Sequence, residues 1–376
     1  MKYFNLNGEK ISRLGYGTMR FPVIDGDNSK IDEEKAGKLL MDAVNKGVNY
    51  IDTAYNYHGR TSEKFVGKFF YENNLRDKVN LTTKLPAWLV EETADFERLM
   101  NEQLKNLRTD HIDFYLLHSL DIKTFRKIRD LGVFDFIKRA KAGGKVRHMG
   151  FSFHDEFTAF EEILKSFDWD FCQIQLNYLD INYQAGLKGY EMATKLGIPV
   201  VIMEPLKGGK LSNPPTEVKE LLRDFKHMSA SEVAIKYPLS LPNVMTVLSG
   251  MNTHEQVEEN TKMAGSVEPE TLTEKDKTFY KNARKIFKSK ERIGCTGCEY
   301  CLPCTAEINI PKIFELWNNA YLFDEAPKSK KIYYKYVEDG GKTTADCIEC
   351  TNCESMCPQN LEIIDGLRKA NEFLKK

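Results

Sequence analysis

Two hydrophobic patterns alternate along the first three quarters of the chain. Short continuous apolar runs predict buried β-strands, and longer segments with apolar residues three or four positions apart predict amphipathic helices. Glu33–Lys46, for example, places Ala36, Leu39, Leu40 and Ala43 on one helical face. The predicted strands are Arg13–Met19, Val48–Thr53, Val79–Leu85, Ile112–His118, Val146–Phe153, Phe171–Leu176, Pro199–Met203 and Val244–Leu248.

A helical stretch follows each predicted strand, and a short hairpin around Asn7 and Gly8 precedes the series. Strands that alternate with helices imply a parallel sheet. Eight such units over roughly 250–290 residues fit an α/β fold of the (β/α)₈ TIM barrel type, for which ~250 residues are typical. A doubly wound sheet fits less well, because the first strand–helix turn lacks Gly-x-Gly-x-x-Gly and eight units exceed its usual count. In a barrel, functional groups are expected at the C-terminal ends of the strands.

Polar residues gather at these strand ends. Asp52 lies in the second strand near its end, Lys84 near the end of the third, and His118 ends the fourth, while Tyr57 follows Asp52 in the next loop. Tyrosine has a pKa of about 10, which a nearby ammonium lowers. Lys84 can supply that ammonium and Asp52 can hold it in place. His118 can orient a carbonyl oxygen, so the group suits proton transfer to an oxygen during hydride transfer.

Each of these residues also has an ordinary structural explanation. An aspartate at a strand end often caps a helix, and a single lysine or histidine is usually solvated or structural. Their occurrence together at the ends of three consecutive strands favours a catalytic site over four unrelated structural roles.

The segments that contain these residues resemble the aldo-keto reductase family. The matching segments are Asn49–Tyr57, Ser62–Glu63 with Val66–Gly67, Thr83–Lys84 and Leu116–His118. The resemblance covers about residues 1–285. It implies a catalytic tetrad and the NAD(P)H-dependent reduction of an aldehyde or ketone. The tetrad residues are Asp52, Tyr57, Lys84 and His118.

The same resemblance implies a set of nicotinamide-cofactor contacts. They are Gly17, Thr18, Met19, Asp52, Ser152, Gln175, Met203, Pro205, Leu206, Gly208, Gly250, Gln256, Glu259 and Asn260. Met203 stands where the family commonly has a tyrosine that stacks on the nicotinamide ring. The adenosine-binding segment offers His254 and no lysine or arginine before Lys262. The sequence therefore leaves NAD and NADP open, and family habit favours NADP.

Eight of the nine cysteines lie in two short groups near the end of the chain. The groups are Cys295, Cys298, Cys301 and Cys304, then Cys347, Cys350, Cys353 and Cys357. The second group has the bacterial ferredoxin spacing, in which the fourth cysteine binds the other cluster. If the two groups exchange their fourth cysteines in this way, one [4Fe-4S] cluster is bound by Cys295, Cys298, Cys301 and Cys357. A second is bound by Cys347, Cys350, Cys353 and Cys304. Two Cys₄ zinc sites are the alternative, although zinc ribbons usually use pairs of Cys-x₂-Cys.

The sequence thus predicts two domains, a barrel over residues 1–285 and a small, mainly helical ferredoxin-like domain over residues 286–376. The ninth cysteine, Cys172, lies in an apolar strand and is predicted to be core. The net charge of −1 gives no indication of a nucleic acid or an anionic membrane as a partner. The N-terminus resembles no signal peptide and no apolar run could cross a bilayer, so we expect a soluble cytoplasmic protein.

Three functions stay open at this point. The first is NAD(P)H-dependent reduction of a small carbonyl substrate, with a cysteine module that is structural, regulatory or used for docking. The second is electron transfer, in which the clusters exchange electrons with a redox protein partner through a flavin or nicotinamide in the barrel. The third is a non-enzymatic barrel that acts as a redox-sensing or subunit scaffold, against which the complete tetrad argues. The substrate is not indicated, although Trp88 and His58 are candidates for the pocket wall.

Overall fold

A computed structural model of the chain describes residues 1–376 except 226, 227, 296, 298, 358 and 376. Within the described residues, eight parallel strands close into a barrel and an antiparallel hairpin precedes them. The hairpin strands are β1 (Tyr3–Leu6) and β2 (Glu9–Ser12). The barrel strands are β3 (Leu14–Gly17), β4 (Tyr50–Asp52), β5 (Asn80–Leu85), β6 (Ile112–Leu120), β7 (Val146–Phe153), β8 (Phe171–Gln175), β9 (Val200–Met203) and β10 (Val244–Ser249). They are hydrogen-bonded in chain order, with β10 beside β3, which confirms the predicted (β/α)₈ barrel.

The helices alternate with the barrel strands and then continue alone to the end of the chain. They are α1 (Glu33–Asn45), α2 (Ser62–Glu72), α3 (Thr93–Leu107), α4 (Ile122–Asp130), α5 (Val133–Ala142), α6 (Phe157–Lys165), α7 (Gly186–Lys195), α8 (Thr216–Leu222), α9 (Ala230–Leu239), α10 (His254–Ser266), α11 (Glu274–Lys290), α12 (Ile310–Leu322), α13 (Ala326–Glu338), α14 (Asn352–Ser355) and α15 (Ile363–Leu374). No helix among these described residues is long and apolar enough to cross a membrane.

The N-terminal end of the barrel is filled by apolar side chains. Leu6 and Ile11 of the hairpin form one buried cluster with Tyr50, Phe114 and Phe171 from the first halves of barrel strands. Burying such side chains stabilises the fold by roughly 1.5–3 kcal/mol each. Apolar side chains fill this end of the barrel. The polar candidate residues lie at the opposite end, where the strands finish.

Strand β4 is shorter than the predicted strand Val48–Thr53. The backbone N–H of Val48 donates to the carbonyl oxygen of Ala43 at 3.0 Å, so Val48 completes the last turn of α1 instead of pairing with a strand. Pairing begins at Tyr50 and ends at Asp52, which lies level with Gly17. The acid therefore stands at the rim of the barrel, as the strand-end argument predicted.

The chain forms two compact units, of which the first is Met1–Gly208 with Ser231–Leu272. The second is Gly209–Ala230 with Thr273–Lys376. These units differ from the predicted domain ranges, because the boundary at 285/286 falls inside α11 and the segment after β9 joins the second unit. There, Phe225 packs edge-on against Phe279 at 5.3 Å, and Lys290 forms an ion pair with Glu217 at 2.9 Å.

The second unit is helical around its own apolar core. Ile313, Phe314 and Trp317 of α12 pack there with Tyr333 of α13 and Leu367 of α15. These helices confirm the predicted mainly helical character of this part of the chain. Several cysteines of the two groups pack against this core. They are Cys295, Cys301, Cys304, Cys347, Cys353 and Cys357.

Candidate functional site

A buried ion pair joins the ends of two neighbouring strands. The Nζ atom of Lys84 lies 2.7 Å from Oδ1 of Asp52 and 2.8 Å from the carbonyl oxygen of Thr53. Burial raises the pKa of Asp52, and the ammonium of Lys84 opposes this shift. Burial lowers the pKa of Lys84, but the carboxylate of Asp52 and the hydroxyl of Tyr57 together outweigh burial, and the net shift is upward. The pair therefore keeps a positive charge on Lys84 inside the barrel rim.

The hydroxyl of Tyr57 is the third group near this ammonium. It lies 3.5 Å from Nζ of Lys84, and the ring centroid lies 5.0 Å from the same atom. Burial raises the pKa of Tyr57 above its ordinary value, and Lys84 only partly offsets that effect. The influence of Lys84 has the predicted sign, but the net direction is the opposite of the predicted one. Tyr57 is thus a neutral phenol that can donate a proton.

His118 completes the group from the end of β6. The strand has a register shift between Leu117 and Leu120, a kind of bulge that re-aims side chains. The imidazole lies edge-on to the ring of Tyr57 at 6.3 Å and 5.1 Å from the ring of Trp88. Burial, reinforced by Lys84, lowers the pKa of His118 well below its ordinary value. A neutral imidazole can donate one N–H to a carbonyl oxygen.

Trp88 and His58, the two pocket-wall candidates, have different surroundings. Trp88 is partly exposed and packs against His118, as a wall residue would. His58 is buried, and its two ring nitrogens lie 2.9 and 3.0 Å from the carbonyl oxygens of Asn28 and Thr18. His58 therefore fastens the loop after β3.

The buried side chain of Glu63 helps to position Lys84 through hydrogen bonds to Thr83 and Gln103. Glu63 of α2 accepts hydrogen bonds from Thr83 Oγ1 at 2.6 Å and from Gln103 Nε2 at 2.5 Å. Gln103 also donates to the carbonyl oxygen of Lys84 at 3.0 Å and accepts from Tyr115. These bonds fix the backbone of β5 at the residue that carries the ammonium. The sequence carries no signal for this role, because Gln103 is one polar residue of an amphipathic helix. It reaches Glu63 and Lys84 only through the packing of α3.

The predicted nicotinamide contacts Ser152, Gln175 and Met203 lie at the ends of the following strands. Ser152 of β7 accepts a hydrogen bond from the backbone N–H of Ser119 at 2.7 Å. Gln175 ends β8 and lies 3.4 Å from Asp180. Met203 ends β9, with its sulfur 3.5 Å from Nε2 of Gln173. The side chains are thus distributed over the same rim as the tetrad.

Arg20, a residue that the sequence did not single out, lies over two of the predicted cofactor glycines. A Cβ atom on Gly250 would lie 2.6 Å from Cγ of Arg20, and one on Gly208 would lie 3.3 Å from its Nη2. Gly208 also has a φ of +64°, which favours glycine. A guanidinium thus reaches the loops after β9 and β10, where barrels commonly bind phosphate. Met19 beside it is exposed, while Pro205 is buried and Leu206 is half-buried.

The predicted adenosine segment forms the start of α10. Thr253 caps the helix by accepting from the N–H of Gln256, and the side chain of Gln256 accepts from the N–H of Asn252 at 2.8 Å. Asn260 donates to Ser249 at 3.0 Å. Glu259 is half-buried on the same helix. These bonds preorganise the segment that the resemblance assigns to the adenosine.

The cysteines line two cavities in the second unit. One cavity, of about 220 Å³, is lined by Cys304, Cys347, Cys350 and Cys353 together with Cys301. A smaller one, of about 20 Å³, is lined by Cys295, Cys301 and Cys357. Cys298 lies outside the described residues. Among the described residues, no three His, Cys, Asp or Glu side chains are grouped as ligands of one metal ion.

Both implied cofactors fit these donor sets. In the barrel, Oδ2 of Asp52 and Nδ1 of His118 are buried and have no hydrogen-bond partner within the described part of the chain. Open backbone lies beside Asp52 at Gly17, where an added Cβ would have no neighbour closer than 3.6 Å. In the second unit, Cys304 of the first group lines the larger cavity with the second group, and Cys357 of the second group lines the smaller one with Cys295 and Cys301. These are the fourth ligands that a ferredoxin exchanges between its clusters, although Cys301 borders both cavities.

Comparison with known proteins identifies both parts of the chain. Residues 13–275 match the Aldo/keto reductase family, and residues 294–362 match a 4Fe-4S dicluster domain. An uncharacterized oxidoreductase from Schizosaccharomyces pombe is 27% identical over 266 residues, which cover 68% of this chain and 82% of the relative. An aryl-alcohol dehydrogenase (NADP⁺) from Phanerodontia chrysosporium is 29% identical over 163 residues, which cover 39% of this chain and 38% of the relative.

Solved structures agree with these matches. The holo form of aldo-keto reductase AKR11C1 from Bacillus halodurans is 26% identical and superimposes with a TM-score of 0.62, over 75% of this chain and 96% of that one. The predicted family and the predicted type of enzyme are thereby confirmed. The chain belongs to the aldo/keto reductase family and is an NAD(P)-dependent oxidoreductase that carries a C-terminal 4Fe-4S dicluster domain.

Proposed function

We propose that the barrel reduces an aldehyde or ketone to an alcohol with NADPH, and that Tyr57 donates the proton. One observation carries this proposal: a single buried ammonium, that of Lys84, contacts both the carboxylate of Asp52 and the hydroxyl of Tyr57. When bound, the nicotinamide supplies a hydride to the carbonyl carbon. The side chains then have to protonate and stabilise the carbonyl oxygen.

The proton comes from the neutral phenol of Tyr57. The phenolate that remains is stabilised by the ammonium of Lys84, which Asp52 keeps charged. The neutral imidazole of His118 donates an N–H to the same oxygen and fixes the direction of the carbonyl. Preorganised donors of this kind act strongly because the site is shielded from water.

The cofactor is proposed to lie along the rim from β7 to β10. Ser152 and Gln175 hold the carboxamide, and Met203 packs on the nicotinamide ring, as a thioether can. Arg20 supplies the cation for a phosphate beside Gly208 and Gly250. NADPH is preferred to NADH on the basis of family habit and of the NADP⁺ in the name of the aryl-alcohol dehydrogenase relative.

The second unit is proposed to hold two [4Fe-4S] clusters. Cys304, Cys347, Cys350 and Cys353 bind one, in the larger cavity. Cys295, Cys298, Cys301 and Cys357 bind the other. Thiolates in this environment are expected in a reducing compartment, so a cytoplasmic location belongs to the proposal. The domain ranges 1–285 and 286–376 stay a prediction, since the two family matches leave residues 276–293 unassigned.

The test is reduction of benzaldehyde by the anaerobically purified chain, followed as NADPH oxidation and as benzyl alcohol formed. Replacing Tyr57 by Phe removes only the proton donor and should lower kcat by about 10²–10⁴-fold. The matched control is Tyr55→Phe, since Tyr55 lies in the same loop with its ring under Arg60 at 4.2 Å, and it should stay within about twofold of the parent. Turnover that survives in Tyr57→Phe would contradict the proposal.

A further inference from the structure

The larger cysteine-lined cavity opens beside exposed apolar side chains. Tyr300, Ile348 and Met356 line this cavity and are 54%, 63% and 61% exposed. Cys350, one of its proposed cluster ligands, is also exposed. Large apolar residues that stay in water around one opening are typical of an interaction site. We call Tyr300, Ile348 and Met356 the apolar patch.

The loops that carry the cysteines have a charge of one sign. Residues 293–311 and 343–367 contain seven acidic residues and no lysine or arginine. They are Glu299, Glu307, Asp346, Glu349, Glu354, Glu362 and Asp365. Glu299 precedes Tyr300 and Glu349 follows Ile348, so exposed carboxylates adjoin two members of the apolar patch. Three of the seven form exposed ion pairs with cations that flank these ranges: Glu349 with Arg368 at 2.8 Å, Asp365 with Lys369 at 2.6 Å and Asp346 with Lys342 at 3.9 Å.

This negative charge is local to the cysteine loops. In the same unit, α11 and α13 together carry eleven lysine and arginine residues against three acidic ones. The unit therefore separates its charges, with acids around the proposed cluster and cations on the helices. Such a separation orients an incoming protein through its field.

We propose that the apolar patch and its acidic surroundings are the docking face for a redox protein whose one-electron centre is surrounded by lysine and arginine side chains. The inference rests on the proposed assignment of Cys304, Cys347, Cys350 and Cys353 to one cluster. The apolar patch allows the partner to pack closely beside the proposed cluster. The acidic residues attract the partner's lysine and arginine side chains. Transient electron-transfer complexes of this kind bury less than about 1,200 Å², which suits a patch of three large side chains.

The redox step is an exchange of one electron between the reduced cluster and the partner's centre. With ferric cytochrome c as the probe, one electron converts the haem iron to the ferrous form. No bond breaks and no proton moves. Dithionite supplies the electron to the protein at the start of the experiment.

The experiment compares native cytochrome c, which is basic, with the same protein after acetylation of its lysines. Acetylation removes the positive charges and leaves the haem in place. Binding to the cluster-loaded chain is measured by calorimetry at low and high salt, and haem reduction by stopped flow. We expect native cytochrome c to bind about tenfold more tightly than the acetylated form and to be reduced about tenfold faster. Both differences should disappear at high salt.

Two substitutions locate the face. Ile348→Asn places an uncharged polar side chain in the apolar patch, and its control is Ile332→Asn, the same change at an exposed isoleucine on α13. Glu299→Lys reverses one charge, and its control is Glu338→Lys at the end of α13. The first member of each pair should weaken binding about five- to tenfold, and the controls should leave it unchanged. Iron and sulfide contents verify that each variant keeps its clusters.

Equal behaviour of native and acetylated cytochrome c would overturn the inference, as would equal effects of Ile348→Asn and Ile332→Asn. Failure to reduce either form of cytochrome c, with full iron content, would also overturn it. Benzaldehyde reduction is measured on the same samples. A failure of carbonyl reduction alone concerns the barrel proposal and leaves the docking result to be judged by itself.

Discussion

Lys84 and Tyr57 meet through a 3.5 Å contact between an ammonium and a phenol hydroxyl, at the end of β5 and in the loop that follows β4. Asp52 holds the same ammonium from the other side at 2.7 Å. The two strands are adjacent in the barrel, so the fold itself brings the three groups together. The neutral phenol of Tyr57 therefore lies beside the fixed ammonium of Lys84. The proposed proton transfer requires this arrangement.

Replacing Lys84 by Met should destabilise the barrel, because it leaves the carboxylate of Asp52 buried without a partner. Orphaning a buried charge costs about 3–5 kcal/mol, which corresponds to a fall in Tm of about 5–10 °C for a chain of this size. Adding Asp52→Asn should restore part of the loss. The control is Lys68→Met, which breaks an exposed pair with Glu33 and should change Tm by about 1 °C or less. A double variant no more stable than Lys84→Met would argue against a true ion pair.

The pH dependence of aldehyde reduction should follow the raised pKa of Tyr57. Reduction needs the protonated phenol, so kcat/KM should fall only when the pH rises through a pKa above the ordinary value of about 10. His118, with its lowered pKa, stays neutral over the same range. We therefore expect a flat profile from about pH 6.5 to 9 at saturating NADPH. A decline centred near pH 8 would mean that the proton donor is a stronger acid than this site allows.

The alternation of strands and helices predicted the barrel, and the strand-end rule placed Asp52, Lys84 and His118 at one rim. These features are local or topological, so a single sequence carries them. The contacts of Gln103 and Arg20 with the site were not predictable, because they depend on how α3 and the loop after β3 pack. The direction of the pKa of Tyr57 was missed for a similar reason, since burial is a property of the whole rim.

The close approach of α2 and α3 should make Gly67 sensitive to a single added methyl group. A Cβ at this position would clash with the carbonyl oxygen of Asn106 and the backbone of Leu107, so Gly67→Ala must push the helices apart beside Glu63. Overpacking of this kind costs about 1–3 kcal/mol, which we expect as a fall in Tm of several degrees. Gly265→Ala on α10 is the control, because its Cβ would meet nothing closer than 3.5 Å. Equal Tm values for the two variants would contradict the packing.

The assignment of cysteines to clusters can be tested by comparing the iron contents and absorption spectra of cysteine variants. Variants of one cluster should lose the same irons. Cys304→Ser should resemble Cys350→Ser, because both residues line the larger cavity, although Cys304 belongs to the first group in the sequence. Each should lose about four of the roughly eight irons expected for two [4Fe-4S] clusters. Cys172→Ser, in the buried strand β8, should keep all of them. If Cys304→Ser instead shared the spectrum of Cys295→Ser, the crossed ligation would be wrong.

Transfer of a hydride from the nicotinamide to the carbonyl carbon can be measured directly with an isotope label. NADPH that carries deuterium at both C4 positions is given to the anaerobic, cluster-loaded enzyme with benzaldehyde in ordinary water. Mass spectrometry of the benzyl alcohol should find one deuterium on the carbinol carbon of each product molecule, and almost no product from Tyr57→Phe. Benzyl alcohol without deuterium would show that the electrons reached the carbonyl by another route, and would contradict the account.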